Sequence, residues 1–86
     1  MIKPILHRRP RYMKPLEQIM CMIYLAQTLT LSELQFRQDL IEKQLKIAHS
    51  RQMDTSDIVA MENNICAAVA YQSFPNEDAW MPFIKL

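Results

Sequence analysis

TLSELQFRQDLIEKQLKIAHS, residues 30 to 50, is the stretch whose reading decides the fold. Its start is marked twice. Thr30 can accept a hydrogen bond from the backbone N–H of Glu33 while the Glu33 carboxylate accepts one from that of Thr30, the reciprocal pattern of a capping box. Leu29 and Leu34 flank the box at the spacing of a hydrophobic staple. Further in, Asp39 precedes Lys43 and Glu42 precedes Lys46 by one helical turn, the favourable order for surface ion pairs. At about 100° per residue, Leu31, Leu34, Ile41, Leu45 and Ala48 fall on one stripe, and Phe36, Leu40 and Ile47 on a second, separate one. A helix with two apolar stripes calls for something packed on both sides.

Working outward, the preceding segment predicts a helix over 15–28, with Pro15 suited to its first position. Leu16, Ile19, Met20 and Ile23 give it one face, while Cys21, Met22, Tyr24, Leu25 and Ala26 make it apolar nearly all round. Such a helix is normally buried. In a chain this small the surplus surface implies a partner or a second copy, met through Met22 and Leu25, which point away from the Leu16–Ile19–Ile23 face. A central strand competes for Ile19 to Leu25, but Met, Leu, Gln and Ala favour helix. On the other side a short connector leads to a third helix over 54–72, with Asp54 as its cap and Asp57 in its first turn. Ile58, Met61, Ile65, Ala68 and Val69 form its stripe, and Ala60, Ala67 and Ala70 leave another side thin. The second and third helices make an αα-hairpin.

The tail carries Ser73, Phe74 and Pro75, then Asn76, Glu77 and Asp78, which predicts a short capped turn stopped by Pro82. Phe74, Trp80, Met81, Phe83, Ile84 and Leu86 make it too apolar to hang free. It either closes the core or, through Phe74, Trp80 and Phe83, anchors another protein. Closing the core is preferred, since a small domain needs the area.

The chain has 86 residues, 50% of them hydrophobic and 22% charged, which is one small globular domain and not a disordered segment. Residues 1–14 form a basic, proline-containing arm, and 15–86 a single helical domain. The arm holds Lys3, Arg8, Arg9, Arg11 and Lys14 with no acid, while the remainder has more acids than bases. Arg8, Arg9, Arg11 and Lys14 are therefore the candidates for contact with nucleic acid. There are seven methionines and no glycine. The missing glycine excludes a P-loop, a dinucleotide fingerprint and a nucleophile elbow, each of which needs it for a tight turn or close backbone approach. No signal peptide is read, and the apolar run is too short to span a bilayer.

Cys21, Cys66, His7 and His49 lack the close spacing of zinc ligands, so no metal or cofactor is expected. Two reduced thiols fit a cytoplasmic protein. His49 lies two turns from Glu42 on the same side of the helix, too far for a general-base pair, and no catalytic set is read. Residues 34–71, a helix, a polar turn opening on Asp54 and an Ala-rich helix, resemble the hairpins of small type III secretion co-chaperones, helical adaptors that sequester a partner. The ending Trp80-Met81-Pro82-Phe83-Ile84-Lys85 resembles that of the Hha-type nucleoid modulators, apart from Pro82. Neither resemblance assigns a residue role. The expectation is an all-α, non-enzymatic protein-binding module (an adaptor, co-chaperone or inhibitor), with a homodimer through helix 15–28. The alternative is a small nucleic-acid-associated regulator using the basic arm.

Overall fold

The structure is a computed structural model that describes residues 13–85. It is all-α, and no strand occurs among the described residues. Pro15 opens α1, Pro15–Thr28, where a missing N–H is harmless and φ is already helical. The Glu17 carboxylate accepts the Lys14 backbone N–H at 3.0 Å. Ile19 to Leu25 is thus helical, and the competing strand is not formed.

After a junction of only Leu29 and Thr30 comes α2, Leu31–Ser50. The expected capping box is made in both directions, with Glu33 N donating to Thr30 Oγ1 at 3.1 Å and Thr30 N to Glu33 Oε1 at 2.9 Å. The backbone N–H of Thr30 is the main reason the Glu33 carboxyl titrates below its ordinary value. Leu29 and Leu34 both join the main core. The far end of α2 stops by an equally local device. Gln52 takes a φ of 56°, Gln52 N donates to His49 O at 3.1 Å, and Met53 N donates to Ala48 O at 2.9 Å. This is the Schellman pattern, with glutamine where glycine is the usual choice.

The third helix, α3, spans Ser56–Ser73 and begins later than the sequence suggests. Asp54 does not stand at its cap. Its Oδ1 instead accepts from Ser56 N at 2.9 Å and from Ser56 Oγ at 2.7 Å, an Asx-type turn leading into the helix. α3 is the hub, packing against α1, against α2 and against the C-terminal turns. Ala67 and Ala68 are fully buried on it, and such small side chains let neighbouring backbones approach closely. On α2, Gln38 Nε2 lies 3.4 Å from Cys66 Sγ on α3. Both residues sit at similar distances along the chain from the connector, so the two helices run antiparallel as a hairpin.

Asn76 Oδ1 accepts from Ala79 N at 3.2 Å and caps α4, Glu77–Trp80, which runs on into a 3-10 turn, Met81–Phe83. Pro82 lies inside that turn and does not mark its end as expected. Trp80 and Ile84 are buried with Met22, Leu34, Ile41 and Ile65, and the Tyr71 and Trp80 rings meet edge-on at 6.3 Å and 62°. The tail closes the core.

Two glutamines tie these pieces together across the chain. Gln18 Oε1 accepts from Lys85 N at 2.8 Å, and its Nε2 donates to Lys85 O at 2.9 Å and to Met13 O at 3.0 Å. Gln72 Nε2 donates to Ala26 O at 3.1 Å and to Leu29 O at 2.8 Å, satisfying carbonyls left over at the end of α1. These bonds are consistent with the rotation of α1, in which Gln18, Cys21 and Met22 are buried while Leu16 and Met20 are exposed. The sequence expectation, with Leu16 inward and Met22 outward, is reversed. A polar residue in the middle of the inward arc conceals that arc from any reading by hydrophobicity.

Candidate protein-binding surface

Along α2 the two apolar stripes have different fates. Leu34, Ile41 and Ala48 are buried toward α3. Phe36, Leu40 and Ile47 lie on another side at 63%, 43% and 53% exposure. At about 100° per residue these three fall within about 40° of one another, centred about 130° round the helix from Leu34 and Ile41. The helix is held by its own capping box and by α3, so it needs nothing on its outer side to stay in place. Near its start, Ser32, Glu33, Phe36, Arg37 and Leu40 line a shallow depression of about 430 Å³. Exposed charges flank the stripe, with Asp39 and Lys46 on one side and Arg37 on the other.

The residues proposed from sequence as partner contacts are placed elsewhere. Met22 is 0% exposed and Trp80 is buried, both within the main core, and Leu25 and Phe83 are half-buried against that same core. Met22 and Trp80 are therefore enclosed, Leu25 and Phe83 keep part of their surface accessible, and Phe74 is exposed. Met22 in particular cannot offer its side chain to a partner in this fold. The Trp80 indole N–H has no acceptor among the described residues, so packing alone holds that ring. Of the basic candidates, Arg8, Arg9 and Arg11 lie outside the described residues, and Lys14 is exposed beside the start of α1. Phe36, Leu40 and Ile47 are not among the partner contacts expected from sequence, although their stripe is visible there. Their separation from the other apolar positions was the signal.

The thiols offer little chemistry. Both cysteines are free. Burial raises the Cys21 pKa. At Cys66 burial again raises it most, with Glu62 and Glu42 adding to the rise and the Gln38 hydrogen bond opposing it. Thiols held protonated are poor nucleophiles and poor metal ligands. Among the described residues no group of three His, Cys, Asp or Glu could hold a metal ion, and no helix is long and apolar enough to cross a membrane.

Among the described residues the structure is a small all-α fold with an aligned apolar stripe exposed on α2. No family model, no curated protein and no solved structure matches the chain.

Proposed function

We propose that the domain is a protein-binding module whose contact surface is the outer face of α2. One observation carries this reading. Three large apolar side chains, Phe36, Leu40 and Ile47, project on one stripe from a helix that buries a separate stripe of Leu34, Ile41 and Ala48 in its own domain. Solvent-facing apolar side chains scattered singly are ordinary, but an aligned row on a capped helix is the form in which one helix offers itself to another element. A non-enzymatic role as an adaptor or inhibitor in a reducing compartment such as the cytoplasm fits the two free cysteines. The nucleic-acid reading through Arg8, Arg9, Arg11 and Lys14 rests on sequence charge alone.

The test is the double substitution Phe36→Glu with Leu40→Glu. Both side chains face out, so the helical circular dichroism spectrum should be retained and the melting free energy should move by about 0.5 kcal/mol or less per site. Association with any protein that the parent chain binds should be lost. A folded variant that keeps every association of the parent would remove this surface from the proposal.

A further inference from the structure

The pattern on the outer face of α2 says more than that it is apolar. Positions 36, 40, 43 and 47 follow one another at steps of four, three and four residues, the repeat of a two-helix seam. Three of the four are apolar and the third is Lys43. We propose, resting on the protein-binding reading above, that the occupant of this face is a second copy of the same chain, with the two α2 helices packed antiparallel about a two-fold axis.

Charge selects both the partner and the direction. In a parallel pair Lys43 would face Lys43 of the second copy, and Lys46 would lie against Arg51, two like-charge contacts. In an antiparallel pair centred between Ile41 and Glu42, Phe36 meets Ile47 of the second copy, and Leu40 covers the aliphatic stem of its Lys43. The ammonium of Lys43 then reaches the rim, as long cationic side chains do. The flanking positions agree. Residues 39 and 46 occupy the same edge of the seam, and antiparallel pairing brings that edge against itself. Asp39 of each copy then lies beside Lys46 of the other, two opposite-charge pairs generated by one symmetry operation. On the other edge Arg37 meets Gln44, without repulsion. Asp39, Lys43 and Lys46 are all exposed and available for this.

The seam is self-complementary, which an isologous contact requires. It is also short. From Phe36 to Ile47 it runs roughly 16 Å at 1.5 Å per residue, so the pair is a weak and reversible one. The depression lined by Ser32, Glu33, Phe36, Arg37 and Leu40 is where Ile47 of the second copy would seat.

Sedimentation equilibrium of the full chain, from about 1 μM to about 1 mM, reads the association constant. The parent should pass from monomer to dimer over that range. Leu40→Lys, which sets a cation against Lys43 of the second copy at two symmetric places, should abolish the dimer. Asp39→Lys or Lys46→Asp alone places like charges across the seam and should weaken it by about tenfold. The two exchanges in one chain should restore the dimer to within about threefold of the parent. All three charged positions are exposed, so these variants keep the fold, and circular dichroism verifies that. A parent that stays monomeric throughout overturns the self-pairing. So does a dimer indifferent to Leu40→Lys, or one that the double exchange fails to restore. If the parent is monomeric yet the Phe36→Glu, Leu40→Glu chain loses a protein that the parent binds, the protein-binding reading stands and the occupant is a different chain. If neither self-association nor any other association depends on those residues, both fail.

Discussion

α1 and α2 both pack on α3, but the bonds that fasten their ends reach different distances along the chain. α2 is secured at its ends by its own neighbours, by Thr30 with Glu33 at the start and by the Gln52 and Met53 backbone at the stop. α1 has a local cap too, in the Lys14 N–H on Glu17, but is also secured by residues far along the chain. Gln18 near its start grips Lys85, and Gln72 of α3 covers the carbonyls at its end. Each helix is itself divided. α1 seals Met22 at 0% exposure but leaves Leu16 and Met20 exposed, while the more polar α2 seals Leu34 and leaves the aligned row of Phe36, Leu40 and Ile47 in solvent. Apolar content alone therefore does not say which helix has surface to spare. α1 and α2 each pack mainly against α3, so what decides is which positions of each helix that packing covers, and on α2 it leaves the Phe36, Leu40 and Ile47 stripe exposed.

The sharpest way to break this contrast is to truncate one side chain from each helix. Met22→Ala removes a fully enclosed side chain and should destabilise the domain by about 2–5 kcal/mol, through lost burial and the cavity left behind. Leu40→Ala, measured at a concentration where the chain is monomeric, should change stability by about 0.5 kcal/mol or less. Urea unfolding followed by circular dichroism reads both. Equal losses would mean that the outer face of α2 is covered within the monomer.

A middle-sized effect belongs to the long-range fastening. Gln18→Leu keeps the side-chain bulk but strips three hydrogen bonds, leaving the Lys85 N–H and the carbonyls of Met13 and Lys85 to find other partners. The expected loss is about 1–3 kcal/mol, the range for orphaning buried polar groups. It should come with faster hydrogen exchange of the tail amides and altered Trp80 fluorescence, while α1 itself stays helical. A variant as stable as the parent, with an unchanged tail, would show that Trp80 and Ile84 hold the tail without the glutamine.

These two helices also show what the chain made legible and what it did not. The start of α2 could be read because a capping box is written within four consecutive residues, and both stripes of α2 could be read because helical period is a local property. The rotation of α1 could not. It depends on an amide in Gln18 meeting a backbone near the other end of the chain, and nothing in the spacing of apolar residues signals that pairing. The same gap turned Met22 and Leu25 outward on paper. The start of α3 was misplaced because aspartate serves equally as an N-cap and as the first residue of an Asx turn, and Asp54 takes the second role. The tail was read as core because composition sufficed, and Trp80 and Ile84 are buried accordingly.

The smallest expected effect separates the two ways of ending a helix. At the end of α2, Gln52 sits at a φ of 56°, where its Cβ crowds the following carbonyl. Glycine has no such contact, although it adds freedom to the unfolded chain, and the two effects oppose each other. The crowding term is the larger, so Gln52→Gly should raise stability by a few tenths of a kcal/mol to about 1 kcal/mol. Gln52→Ala keeps the Cβ and should give no gain. The end of α1 has no left-handed residue: Leu29, the first residue after it, has an ordinary extended φ of −116° and a side chain packed on the core. Leu29→Gly should therefore destabilise, by loss of burial with no strain to relieve. Urea midpoints of the three variants measure this directly. If glycine at position 52 brings no gain over alanine, the turn after α2 is not strained, and its stop signal lies in the Ser50 hydroxyl, which donates to Ile47 O at 2.8 Å.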